Sequence, residues 1–155
     1  MPRVLYLVFV LLIAGCSSAG APASGPDPLE GVSFTPALQV DLGAMERTAR
    51  GVYFRDLAIG DGPEARRGHT VRVHFAGFLP DGTQVDALAP PAQPMTFELG
   101  KGDVIAGWEA GIVGMREGGQ RQLVVPPAQG YGSRGRSRVP PNTTLVFIIK
   151  LVSVR

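Results

Sequence analysis

Chemistry-bearing residues are scarce in this chain of 155 residues. Its single cysteine, Cys16, leaves no possibility of an internal disulfide and no thiol set for a metal. Histidine is limited to His69 and His74. An odd spacing in a strand-like region puts them on opposite faces, so they do not form a metal pair, and no metal is expected. Charged residues are only 18% of the chain and the formal net charge is +2, too small a field to argue for nucleic acid. The arginines do cluster locally, at Arg66-Arg67 and at Arg134, Arg136 and Arg138, but no aromatic residues interleave with them as a base-stacking surface requires. They read as solvated basic loops. Gly100-x-Gly102 lacks the third glycine and the βαβ setting of a dinucleotide turn. Nucleophilic triads, phosphate loops, paired acids and internal repeats are missing too. Any catalysis is therefore expected to be non-covalent and to use no cofactor.

Long apolar runs are also lacking, since none reaches the ~20 residues of a membrane-spanning helix. The longest, Val4–Ile13, follows Arg3 and leads into Ala14-Gly15-Cys16, the layout of a secretory signal. Leu12-Ile13-Ala14-Gly15-Cys16 resembles the bacterial lipobox, in which the cysteine is acylated and becomes the mature N-terminus. The resemblance implies a lipoprotein signal peptide over residues 1–15 and lipidation at Cys16; an ordinary signal peptide with a chance cysteine is the alternative. Acylation would remove a lone thiol from an oxidising compartment. At about 0.8 kcal/mol per buried CH₂, two or three acyl chains hold a protein firmly on a membrane. Ser17 follows, rather than the Asp associated with inner-membrane retention in enteric bacteria. The expected location is lipid-anchored to the cell envelope, at the outer membrane facing the periplasm. Residues 16–28 are small residues and prolines without apolar period, a flexible tether. In the extension 29–46, Val32–Phe34 and Leu38–Leu42 alternate, as short strands or an arm lying on the domain would. A helical turn fits within Asp41–Arg50.

What the chain does have is apolar residues (45%), 21 glycines and 14 prolines, which favour a turn-rich β or α+β protein. Strand patterns run over Val52–Ile59, Thr70–Leu79, Gln84–Leu88, Met95–Leu99, Gln120–Val125 and Thr143–Val154, separated by Gly/Pro turns. Between the fourth and fifth, Val104, Ile105, Trp108, Ile112 and Met115 recur at helical spacing behind Asp103, a candidate N-cap. Gly107 and Gly111 flatten one side of that helix at a cost of about 1 kcal/mol each against Ala. A closely packed sheet or a ligand would account for them. The expected fold is α+β, an antiparallel sheet of about five strands half-wrapped around one short helix.

Four motifs then appear in order. They are Val73-His-Phe-Ala-Gly-Phe-Leu-x-Asp-Gly-x-x-Val-Asp86, Phe97-x-Leu-Gly-x-x-x-Val-Ile-x-Gly-Trp-Glu-x-Gly111, Tyr131-Gly132, and Val139-Pro-Pro-Asn-x-Thr-Leu-Val-Phe147. In register over residues 47–155, they resemble the FK506-binding-protein (FKBP) family of peptidyl-prolyl cis–trans isomerases. The resemblance implies a shallow apolar pocket between sheet and helix that takes the proline ring of a folding or unfolded polypeptide, or FK506-like macrolides. By motif position Trp108 is the floor, Val104 and Ile105 one wall, and Phe75, Phe97, Val139 and Phe147 complete the lining. The Ile105 backbone N–H and the Tyr131 hydroxyl would meet substrate carbonyls, and Asp86 would be the acid of the rim.

Several positions depart from the family pattern. Phe75 stands in place of a usual Tyr, Val85 of a usual Phe, and Met95 of a usual aromatic. The loop after Tyr131 carries arginines in place of an apolar rim, which points to acidic or carboxylate-bearing partners. Burying a Phe contributes ~1.5–3 kcal/mol, so a thinner clamp could weaken proline binding tenfold. The alternative to an isomerase of exported proteins is therefore a catalytically weak FKBP-like binding or chaperone module of the envelope.

Overall fold

The computed structural model describes residues 27–155; the expected signal peptide, Cys16 and most of the tether lie outside them. Seven strands make one sheet: β1 (Glu46–Arg47), β2 (Tyr53–Ala58), β3 (Thr70–Phe78), β4 (Gln84–Leu88), β5 (Met95–Glu98), β6 (Gln120–Val125) and β7 (Leu145–Val154). All pairings are antiparallel, in the order β1-β2-β6-β7-β3-β4. β5 follows β4 along the same edge of β3, pairing with Thr70–Val73 while β4 pairs with Phe75–Phe78. The α+β expectation holds: the six strand patterns appear as β2 to β7, and one short strand, β1, is added to them. That added strand is only two residues long.

Alternation decides which side chains enter the core. In β6 and β7, Leu123, Val125, Leu145, Phe147 and Ile149 face the helix side, while Val124 and Val146 face the other. On the first side they meet Val71, Val73, Leu99, Trp108, Ile112 and Met115 in the main core. The second side is covered by the N-terminal arm. Leu29 and Met45 are buried against Tyr53, Val124 and Val146, with Val32, Phe34, Leu38, Val40 and Leu42 around them. The arm crosses to the β3–β4 turn, where Thr35 N–H donates to the Pro80 carbonyl (2.8 Å), and returns to β6, where Gln122 Nε2 donates to the Leu38 carbonyl (2.7 Å). It contains two 3-10 turns, Pro36–Leu38 and Leu42–Ala44, and no strand before β1. Of short strands or an arm, the arm is observed, and the helical turn expected within Asp41–Arg50 is present as the 3-10 turn Leu42–Ala44. Asp27, within the tether as composition bounds it, already takes part in this docking: its carboxylate accepts from the Tyr53 hydroxyl (3.0 Å) and the Leu29 N–H (2.9 Å).

The helix α1 (Ala106–Ile112) is shorter than its apolar stripe. Val104 and Ile105 precede it, and Met115 lies in the turn beyond it. Ile105 is the N-cap with ψ 147°, and no side chain caps the helix, so the expected Asp103 cap is not formed. The first-turn amides of Trp108 and Glu109 reach the Ile105 carbonyl instead, at 3.0 and 3.3 Å. The two helix glycines answer to the sheet. A Cβ on Gly107 would stand 2.4 Å from Val125 Cγ1, and one on Gly111 2.7 Å from Leu123 Cδ2. Close approach to β6, not a ligand, explains them. Below the helix the buried Arg121 joins Asp56 through two bonds (2.7 and 3.0 Å) and donates to the carbonyls of Gly111 (2.9 Å) and Val113 (3.2 Å). It thus ties the last turn of α1 to β2 and β6, with a cation placed favourably at a helix C-terminus.

Candidate functional site

A cavity of about 530 Å³ opens between α1, the β3–β7 strands and the loop after β6. That is the size of an ordinary small-ligand site. Trp108 is its floor and is only 4% exposed. Two phenylalanines meet the indole edge-on: Phe75 at 4.8 Å and 77°, and Phe147 at 5.3 Å and 87°. Edge-to-face pairs of this kind fix ring orientation beyond simple burial. Phe147 can lie where it does because Gly77 is opposite it in the ladder; a Cβ there would be 2.7 Å from the ring.

Val104 and Ile105 form a wall because they stand outside the helix. On the extended lead-in their side chains reach the cavity, while Gly107 and Gly111 turn to the sheet. The Ile105 N–H makes no hydrogen bond to any described residue. The lead-in is held by the buried carboxylate of Glu109, which accepts from the amides of Gly100 and of Gly102, the latter at 3.1 Å. Both glycines have positive φ, 95° and 80°, which only glycine adopts freely. Glu109 is the residue that pattern reading passed over. The signal was there, a lone acid on an apolar helix following a Gly-x-Gly turn.

Tyr131, Val139 and Leu145 line the far side, and Val85 and Met95 the side toward the β4–β5 edge. Asp86 is on exposed β4 at the rim, with Oδ1 accepting from the Ala87 N–H (2.9 Å). The Tyr131 hydroxyl bonds no described group, and its ring lies 5.6 Å from the Arg136 guanidinium. Arg136, Ser137 and Arg138 complete the rim. Composition alone shows only a basic loop for the two arginines, while the family resemblance puts that loop at the rim. Of the residues singled out by motif, Phe97 alone is not in the lining. It is buried on β5 behind Trp108, ring centroids 6.1 Å apart, and supports the floor from below. No cluster of His, Cys, Asp or Glu suited to a metal occurs among the described residues.

An antiparallel sheet folded on one short helix, with an aromatic-floored cavity between them, is the arrangement that the motifs implied for the peptidyl-prolyl isomerase class. Sequence and structural relatives say the same. The FKBP-type peptidyl-prolyl cis-trans isomerase family matches residues 62–152. An FK506-binding protein of Neisseria meningitidis serogroup B (strain ATCC BAA-335 / MC58) is 44% identical over 105 residues, covering 67% of this chain and 96% of the relative. The crystal structure of AtFKBP13 superposes with a TM-score of 0.66 at 33% identity, over 72% of this chain and 98% of that one. A peptidyl-prolyl cis-trans isomerase of Pseudomonas syringae pv. tomato str. DC3000 gives 0.65 at 33% identity, over 77% and 86%. The chain belongs to the FKBP-type peptidyl-prolyl cis-trans isomerase family.

Proposed function

We propose that this isomerase acts on X–Pro bonds of exported polypeptides while tethered to the cell envelope, seating the proline ring on Trp108. The observation that carries this reading is an apolar cavity floored by Trp108, with the unbonded Ile105 N–H at its lip. Uncatalysed rotation of X–Pro crosses ~18–20 kcal/mol and takes tens to hundreds of seconds. In the twisted transition state the amide loses resonance, so its oxygen carries less charge and depends less on water. Desolvation by Phe75, Phe147 and Trp108 therefore disfavours the planar ground state relative to the twisted one. The Ile105 N–H holds a substrate carbonyl in place, and the Tyr131 hydroxyl, free of other bonds, takes a second. Asp86 orients the rim and shapes its field. FK506-like macrolides suit the same cavity.

Residues 47–155 form the isomerase domain in this reading, residues 29–46 an extension, and acylated Cys16 the anchor. The signal-like residues 1–15 and the short tether support export and attachment at the outer membrane. Among the described residues no helix is long and apolar enough to cross a membrane.

NMR exchange on short X–Pro peptides, with protein lacking residues 1–16, tests the activity. Catalysed exchange is expected, with Asp86→Ala and Tyr131→Phe each slowing it about tenfold, the loss of one well-placed polar contact, while both stay folded. Absent exchange across several X residues would favour the weak binding module, and unaltered rates in both variants would refute the two assigned roles.

A further inference from the structure

The arginines beside the cavity are placed as no solvated loop requires. Arg136 and Arg138 both line it, and both are exposed. Neither makes an ion pair: the three among the described residues are Arg66–Glu64, Lys101–Glu98 and Arg121–Asp56. Asp86 and Asp103 line the same cavity, from β4 and from the turn before α1, without pairing to either arginine. The rim is thus divided, carboxylates on one part and guanidinium groups on the other.

The backbone of the basic part is also tied down. Arg136 and Val139 exchange two main-chain bonds (2.9 and 2.7 Å) around Ser137 and Arg138, a tight hairpin. Ser137 has φ 49°, a left-handed conformation that a hairpin tip usually gives to glycine. Gly135 lets the loop close, since a Cβ there would lie 2.4 Å from the Val139 carbonyl. Val139 is buried, and the Asn142 N–H bonds the Gly132 carbonyl (2.8 Å), so the base of the hairpin is fixed. The Arg136 guanidinium rests 5.6 Å from the Tyr131 ring centroid, where its charge is steadied by the ring face. A cation held in this way, as Arg136 is, loses less freedom on binding than a free one.

We infer that Arg136 and Arg138 form a carboxylate subsite that selects substrates with an acidic residue directly before or after the proline. The inference rests on the proline-pocket reading. With the proline ring on Trp108, a neighbouring side chain reaches the rim, and guanidinium forks match carboxylate geometry. Lys at the same position would meet like charge.

The full chain in non-ionic detergent, given X–Pro peptides with Glu, Ala or Lys on either side of the proline, tests this in two readouts. One is kcat/KM by NMR exchange; the other is affinity from the fluorescence of Trp108, the only tryptophan. At low ionic strength Glu should exceed Ala by about fivefold on one side, the effect of a good exposed ion pair, with Lys below Ala. The ratio should shrink with salt and fall to near one in R136Q/R138Q. Turnover of the Ala peptide with no Glu preference in wild type would overturn the subsite and leave the isomerase reading standing. If no peptide is turned over, the isomerase reading fails, and the Glu-to-Ala affinity ratio still decides the subsite. A ratio untouched in R136Q/R138Q, with binding of the soluble headgroup glycerophosphoglycerol lost, would make the loop a lipid contact and refute the proposal.

Discussion

Trp108 holds its orientation because Gly77, two strands away from α1, has no side chain. The Phe147 ring lies against Gly77, with Cε1 and Cδ1 at 2.7 and 3.0 Å from where a Cβ would stand, and its edge meets the indole at 5.3 Å. Gly77→Ala forces that ring to move and loosens one of the two contacts that frame the floor. Overpacking of this kind costs about 1–3 kcal/mol. The expected result is a lower urea midpoint together with a kcat/KM reduced roughly two- to tenfold, if half of that cost falls on the bound state. Gly107→Ala is the control. Its Cβ would collide with Val125 on β6, 2.4 Å away, so stability should fall by a similar amount. In the variant that remains folded, however, kcat/KM should change much less, because that face of α1 does not line the cavity. Equal losses of kcat/KM in the two variants would show that stability alone governs both.

At the scale of elements, the lead-in to α1 depends on Glu109. Its buried carboxylate gathers the amides of Gly100 and Gly102, so the turn cannot rotate away from the cavity wall. Glu109→Gln keeps the shape but supplies one acceptor where two amides point, and its NH₂ would oppose an N–H. Leaving a buried donor unpaired costs about 1–3 kcal/mol. KM should therefore rise as Val104 and Ile105 shift, and amide exchange at Gly100 and Gly102 should quicken; unchanged exchange at both would remove Glu109 from this role. The same lock explains what was legible in the chain and what was not. β4 and β6 are bounded in the structure where the strand patterns placed them, since turn residues close each at both ends, although β4 is an exposed edge and β6 is buried on both faces. The helix overran at both ends because periodicity counts Val104, Ile105 and Met115 as a stripe. It is blind to the extended backbone at Ile105 (ψ 147°) and Val113 (ψ 134°). Phe97 was read as lining for a similar reason, as motif position gives order along the chain but not depth behind Trp108. Arg136 and Arg138 were visible as a basic loop. Their turn toward the cavity follows from the Gly135–Val139 closure, a contact that no local pattern announces.

At the scale of the whole molecule, the sheet has two covered faces with different duties. Val146 and Phe147 are neighbours in β7 and point to opposite faces, one under the arm and one over the cavity. Stability contributed by the arm should thus separate from activity. Leu29 is 1% exposed within the arm's small core, and Leu29→Ala there should cost about 2–5 kcal/mol. Urea unfolding should register that loss, while kcat/KM of the folded fraction stays near wild type. Alkaline pH gives a second handle on the same contact. The Tyr53 phenol has its pKa raised, first by burial and then by its hydrogen bond to Asp27 and that residue's charge, with Arg47 opposing. A raised pKa means that the folded state favours the neutral phenol. Its contribution is full below the unfolded value of ~10 and is lost as pH rises through the folded one. Between about pH 9 and 11 wild type should therefore lose more stability than Tyr53→Phe, which has no phenol to ionise. Parallel unfolding curves for the two proteins across that range would mean that Asp27 and the arm do not hold Tyr53 in solution.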